Sequence, residues 1–107
     1  MKNDLYQRII SFRDERNWKQ FHTGENLAKA LSIEAAELLE LYQWKQEVDD
    51  VEKVKEELAD ILIYATLIAD AYKIDMDKIV EDKIKKNEEK YPVDKAFGKS
   101  NKYDSFK

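Results

Sequence analysis

At 107 residues the chain is expected to hold one domain, near the lower end of what buries a useful core. Hydrophobic residues make up 43% and charged residues 39%, with clear periodicity, which excludes a disordered chain, and two glycines with one proline leave little turn chemistry for a sheet. A net charge of -4 excludes an overall positive field for nucleic acid polymer, and the lack of cysteine excludes disulfides and a zinc-thiolate site.

The opening MKNDLYQR lacks a signal peptide's apolar core, so a cytoplasmic protein is expected. No apolar run approaches the ~20 residues that span a bilayer. In chain order, Asp4 to about Asn17 reads as a first helix, with Leu5, Ile9 and Phe12 on one stripe and Asp4 as N-cap. Trp18 to Gly24 (WKQFHTG) breaks the pattern and brings two aromatics, the only histidine and a glycine, a composition suited to a binding loop.

Thr23 is placed to cap a second helix running to about Trp44. Asp49 and Glu52 then resemble a capping box for a third helix, Val51 to Tyr72. Ile74, Asp75 and Ile79 look like a hydrophobic staple around the cap of a fourth helix, 76 to 90, which Pro92 ends. Residues 92–107 read as an irregular basic tail. The expected architecture is therefore all-α, a four-helix bundle with that tail. Helices two and three are apolar around most of their circumference, more than one thin bundle covers, so a homodimer or a homotetramer (dimer of dimers) is expected.

Two pairs of acids break the core pattern. Glu34 and Glu37, and again Glu57 and Asp60, stand three residues apart and so share a helix face. At ~100° per residue, Glu34 falls between Leu27 and Leu41 and Glu37 between Ala30 and Trp44, while Glu57 lies between Tyr64 and Ile68 and Asp60 between Leu67 and Ala71. Unpaired carboxylates facing inward cost several kcal/mol each, so compensating positive charge is required. In Leu27–Tyr42 and Ile61–Tyr72 the one basic side chain, Lys29, lies about 140° from Glu34 on the wheel. A metal is the economical counterion. All-oxygen ligands suit Mg²⁺, with Mn²⁺ next, and Mg²⁺ keeps waters and substrate phosphates in its shell. The chemistry suggested is phosphoryl or nucleotidyl transfer.

The runs SIEAAELLELYQWK and EELADILIYA resemble the all-alpha MazG-like nucleoside triphosphate pyrophosphohydrolases, whose signature is EExxE followed by ExxD. Glu34 and Glu37 match the second and third glutamates, Glu57 and Asp60 match the second half, and Ile33 stands where the first glutamate would be. ERNWKQFH, LYQWK and NEEKYPV extend the likeness to the dCTP pyrophosphatase branch. The resemblance implies Mg²⁺-dependent cleavage between the alpha and beta phosphates, by metal-activated water attack at the alpha phosphorus, giving a nucleoside monophosphate and pyrophosphate. Glu34, Glu37, Glu57 and Asp60 would be the metal-binding and catalytic residues, and Glu37 or Glu40 would take the water's proton.

The same match carries over Trp18, His22, Trp44, Tyr64 and Asn87 for base and sugar, and Lys83, Lys90, Tyr91, Lys102 and Tyr103 for phosphates. Substrate is left among dCTP and its modified forms, other dNTPs and damaged nucleotides, with deoxycytidine favoured. Nucleotide pool cleaning, housekeeping of one nucleotide and a stress response are equally open as roles. A redox di-metal bundle needs Glu-x-x-His motifs, which this chain lacks. A non-catalytic helical interaction module is the other class, in which the inward acids would serve pairing specificity.

Overall fold

The computed structural model describes residues 1–99, and these are mostly helical, with no strand among them. Four long helices and one short one follow in order: α1 (Asn3–Glu15), α2 (Gly24–Glu40), α3 (Val51–Ala71), α4 (Met76–Lys90) and α5 (Val93–Ala96). A 3-10 turn, Lys19–Phe21, lies between α1 and α2. The chain divides into two compact units, Met1–Ile74 and Asp75 onward.

Within the first unit α2 and α3 pack along their lengths and run antiparallel. The start of α2 meets the end of α3, where the Tyr72 ring lies so close over Gly24 that a Cβ there would run into its hydroxyl, and Glu34 and Glu37 of α2 meet Glu57 of α3. Leu27, Leu67 and Ala69 form the fully buried apolar core, Leu27 at 1% exposure. The α1 helix joins α3 through polar contacts at one residue: Tyr6 Oη donates to Asp70 Oδ1 at 2.6 Å and Arg13 Nη1 donates to Asp70 Oδ2 at 2.7 Å. Much apolar surface stays uncovered, with Ile33 at 59% and Leu39 at 69% exposure, and Leu58 and Leu62 exposed on α3.

Caps set the helix ends. Thr23 Oγ1 accepts from the Asn26 N–H, opening α2. Asp50, one residue beyond the expected Asp49, caps α3 by accepting from the Glu52 N–H, because its side chain, not that of Asp49, reaches the free donors of the first turn. Asp4 is not the N-cap of α1: Lys2 holds that position without a side-chain bond, and Asp4 sits in the first turn, where its charge faces the positive helix end.

The α1 and α3 helices end in paired bonds of the Schellman type. Trp18 N–H reaches Arg13 O and Asn17 N–H reaches Asp14 O; Ile74 N–H reaches Ala69 O and Lys73 N–H reaches Asp70 O. Asn17 and Lys73 accordingly take positive φ, 54° and 58°. The α2 helix stops at Glu40 instead of reaching Trp44, since Tyr42 and Gln43 switch to carbonyls three residues back, which tightens and ends the helix. In the second unit Asp75 accepts from Lys78 N–H to open α4. The expected irregular tail contains α5, for which Pro92, unable to extend α4, serves as N-cap.

Candidate active site

Of the two acidic pairs, Glu34, Glu37 and Glu57 come together from facing helices, and Asp60 is not in that cluster. Glu34 and Glu37 of α2 and Glu57 of α3 each offer a carboxylate oxygen, and these oxygens lie within 4.8 Å of one another. Their one-turn spacing on α2 and the antiparallel pairing with α3 force the approach. Glu34 Oε2 and Glu57 Oε2 are buried without a hydrogen-bond partner. Burial, then the Glu37 and Glu57 carboxyls, push Glu34 up to about 7. Burial first, and Glu37 next, raise Glu57 as well. Buried, unpartnered oxygens gathered from like-charged groups are a donor set for a hard divalent cation, so the residues fit one.

Asp60, one turn beyond Glu57, adds its field to both raised glutamates. It also lines a cavity of about 440 Å³, so it stands where the acidic cluster meets that cavity. The walls are Leu5, Ile9 and Phe12 of α1, Trp18 and His22 of the loop, and Ile63 and Tyr64 of α3, while Arg13 and Leu67, both buried, form the floor. Trp18 meets Phe12 edge to face at 5.7 Å, and the Arg16 guanidinium lies 3.7 Å over the Phe12 ring. His22 Nδ1 is buried with no partner. Burial and then the nearby Arg13 charge lower the histidine's pKa, which keeps the imidazole neutral near pH 7.

Of the residues picked out for substrate, Trp18, His22 and Tyr64 are thus gathered in one cavity with Asp60. Trp44 is not: it sits beyond the end of α2 at 87% exposure and lines no part of that cavity. Lys83, Asn87 and Lys90 lie on α4 and Tyr91 is its C-cap, all in the second unit. Lys102 and Tyr103 lie outside the described residues. Arg13, Phe12 and Arg8 line the cavity unforeseen. A signal existed for Arg13, which stands four residues after Ile9 on the apolar stripe of α1, and for Asp70, the single acid in the core-patterned run Ile61–Tyr72.

Helices throughout the described residues, with a carboxylate cluster opening beside an apolar cavity, define an all-α fold whose acids could hold a divalent metal. The MazG-like family model matches residues 29–106, and the chain belongs to that family. It is 35% identical to dCTP pyrophosphatase 1 of Rattus norvegicus over 109 residues, covering 94% of this chain and 64% of that protein. The Homo sapiens protein of the same name is likewise 35% identical with the same coverage, so the chain spans 64% of the length of these curated relatives. A crystal structure of a pyrophosphatase from Archaeoglobus fulgidus superposes with a TM-score of 0.78 at 41% identity, over 83% of this chain and 90% of that one. No helix of the described residues is long and apolar enough to cross a membrane.

Proposed function

We propose that the chain is a divalent-metal-dependent nucleoside triphosphate pyrophosphohydrolase that cleaves dCTP or a related dNTP to the monophosphate and pyrophosphate. The observation that carries this reading is the cluster of Glu34, Glu37 and Glu57, with two buried oxygens left without partners, opening at Asp60 into a cavity lined by aromatic and apolar side chains. The names of the relatives support the reaction class and the cytosine preference. Both compact units belong to one MazG-like domain in this proposal, because the family match runs through both.

Glu34, Glu57 and Asp60 would hold Mg²⁺, or Mn²⁺, with Glu37 completing the set. When bound, such an ion supplies neutralisation of the triphosphate and polarisation of its phosphoryl oxygens. Glu37, or Glu40 at the end of α2, accepts the proton of the attacking water. Trp18 stacks on the base, and His22 and Tyr64 close the pocket around it, excluding water. By the family resemblance, Lys83, Lys90, Tyr91, Lys102 and Tyr103 are the candidates to bind the phosphates, and Asn87 the sugar and base. A homodimer, or a tetramer made of two, covers Ile33, Leu39, Leu58 and Leu62, apolar side chains that one chain leaves exposed. The setting is the cytoplasmic nucleotide pool.

Incubation with each deoxy- and ribonucleoside triphosphate plus Mg²⁺, resolving monophosphate plus pyrophosphate from diphosphate plus phosphate, tests reaction and preference together. Monophosphate and pyrophosphate from dCTP is the expected result. Absence of turnover with every nucleotide, with Mg²⁺ and again with Mn²⁺ in its place, would leave the acids to pairing specificity in a non-catalytic helical module.

A further inference from the structure

The floor of the cavity is built around a charge that the acidic cluster does not use. Arg13 is 4% exposed, yet it lines the cavity. Two carboxylates fix its plane: Nε donates to Asp14 Oδ1 at 2.9 Å and Nη1 donates to Asp70 Oδ2 at 2.7 Å. Tyr6 holds the other Asp70 oxygen at 2.6 Å, so the acceptor is itself fixed from two sides. An arginine fork carries five N–H donors, and these bonds leave Nη2 as the edge that neither Asp14 nor Asp70 engages. On the wall of the same cavity, His22 Nδ1 is buried without a partner. A buried polar atom left unpaired in a protein that has paired its neighbours marks the place of a ligand group.

We propose that Arg13, held by Asp14 and by the Tyr6-anchored Asp70, is a specificity-determining residue that donates from Nη2 to a ring acceptor of the bound base, while His22 Nδ1 accepts from the exocyclic amine beside it. The inference rests on the nucleotide reading given above. With its proton on Nε2, neutral His22 presents a lone pair at Nδ1. The edge thus read is an acceptor ring nitrogen next to an amine, which cytosine and adenine share. Thymine and guanine carry an N–H at the corresponding ring position, which would meet the Arg13 donor head on. A buried polar site that loses its hydrogen bonds rejects the wrong ligand strongly, because its own groups are left unpaired.

The test compares kcat/KM for dCTP, dATP, dTTP and dGTP with Mg²⁺ in the wild type and in the double variant Arg13→Met with Asp70→Asn. That pair removes both charges of the ion pair and so leaves neither buried alone. The wild type is expected to favour dCTP or dATP over dTTP and dGTP by about tenfold or more, the dCTP and dATP arms showing which ring is read. The double variant is expected to lose that preference, through a KM for the favoured nucleotide raised by about tenfold to a hundredfold with kcat little changed.

An equal fall for all four nucleotides would mean that Arg13 merely fastens α1 to α3, and would overturn the inference, as would a wild type that prefers dTTP or dGTP. A second measurement needs no variant. The wild type should use 3-deaza-dCTP, or 1-deaza-dATP if adenine is preferred, about tenfold less well than the parent; equal use overturns the inference even where the double variant does not fold. Failure of the underlying enzyme reading looks different, since the wild type then cleaves none of the nucleotides.

Discussion

Arg13 of α1 and Asp70 of α3 form a nearly buried ion pair, Nη1 to Oδ2 at 2.7 Å, with their side chains 5% and 19% exposed. It is the polar joint between a helix with few buried apolar groups and the helix that carries the core. Arg13→Ala leaves Asp70 with its partner gone, and removal of one member of a buried pair costs about 3 kcal/mol or more. The double variant Arg13→Met with Asp70→Asn is expected to recover most of that loss, because no uncompensated charge remains. Urea unfolding of the three proteins checks the order; an Arg13→Ala midpoint equal to the wild type would show that the pair contributes nothing to folding.

The same joint sets an acid limit. Burial pushes the Asp70 carboxyl up, but the Tyr6 hydroxyl, the Arg13 hydrogen bond and the Arg13 charge together outweigh it and hold the carboxyl below its ordinary value. A depressed folded-state pKa contributes stability that is present above the unfolded value and lost as pH falls through the folded one. Unfolding followed below the ordinary carboxylate range should therefore show a loss on acidification that is absent from Asp70→Asn.

Glu34 acts in the opposite sense. Its folded-state value of about 7, against an ordinary 4.5, arises from burial and from the neighbouring Glu37 and Glu57 carboxyls. A raised acid binds its proton more tightly in the folded state, so its contribution is fully present below 4.5 and is lost as pH rises through about 7. Chelator-treated protein is expected to lose thermal stability across that window. Glu34→Gln should flatten the loss, and added Mg²⁺ should restore the wild type at pH 8 but not the variant. A wild-type melting temperature that ignores both pH and Mg²⁺ would separate these carboxylates from any metal site.

How much of this could be read beforehand depended on whether the cause was local. The acidic pairs were legible because a helical wheel places Glu34 and Glu57 on an apolar stripe whatever the tertiary fold. The bounds of α4 were legible because Asp75 and Pro92 act on their own neighbours. The ends of α1 and α3 were read as about Asn17 and Tyr72 and fall close by, at Glu15 and Ala71, although Asn17 and Lys73, rather than glycines, take the left-handed positions. Trp44 looked helical because LLELYQW keeps an apolar rhythm past the point where the hydrogen bonds tighten at Glu40. Arg13 with Asp70 is a pairing across 57 positions, which no local pattern announces.

Lys73 supplies a stability prediction of its own. Its φ of 58° puts a Cβ-bearing residue in the left-handed region at the end of α3. Glycine escapes the left-handed strain of about 1–2 kcal/mol but has about 0.5–1 kcal/mol more backbone entropy to lose on folding, so the net gain from Lys73→Gly is about 0.5–1 kcal/mol. Lys73→Ala, which keeps the Cβ, should gain nothing. Equal midpoints for the two variants in urea would show that the strain is relieved in some other way.

The two tryptophans separate the cavity from its surroundings. Trp18 lines it against Phe12, whereas Trp44 is 87% exposed beyond α2. A stacked aromatic contributes about 1–3 kcal/mol per base, most of it common to ground and transition states. Trp18→Ala should therefore raise KM for the favoured nucleotide by roughly fivefold to a hundredfold with little change in kcat. In one chain Trp44→Ala should change KM less than threefold, or about 0.6 kcal/mol. A larger effect at Trp44 than at Trp18, measured in steady-state kinetics on dilute and concentrated protein, would place the stacking surface where a second copy meets the end of α2, and the base would then lie outside the cavity floored by Arg13.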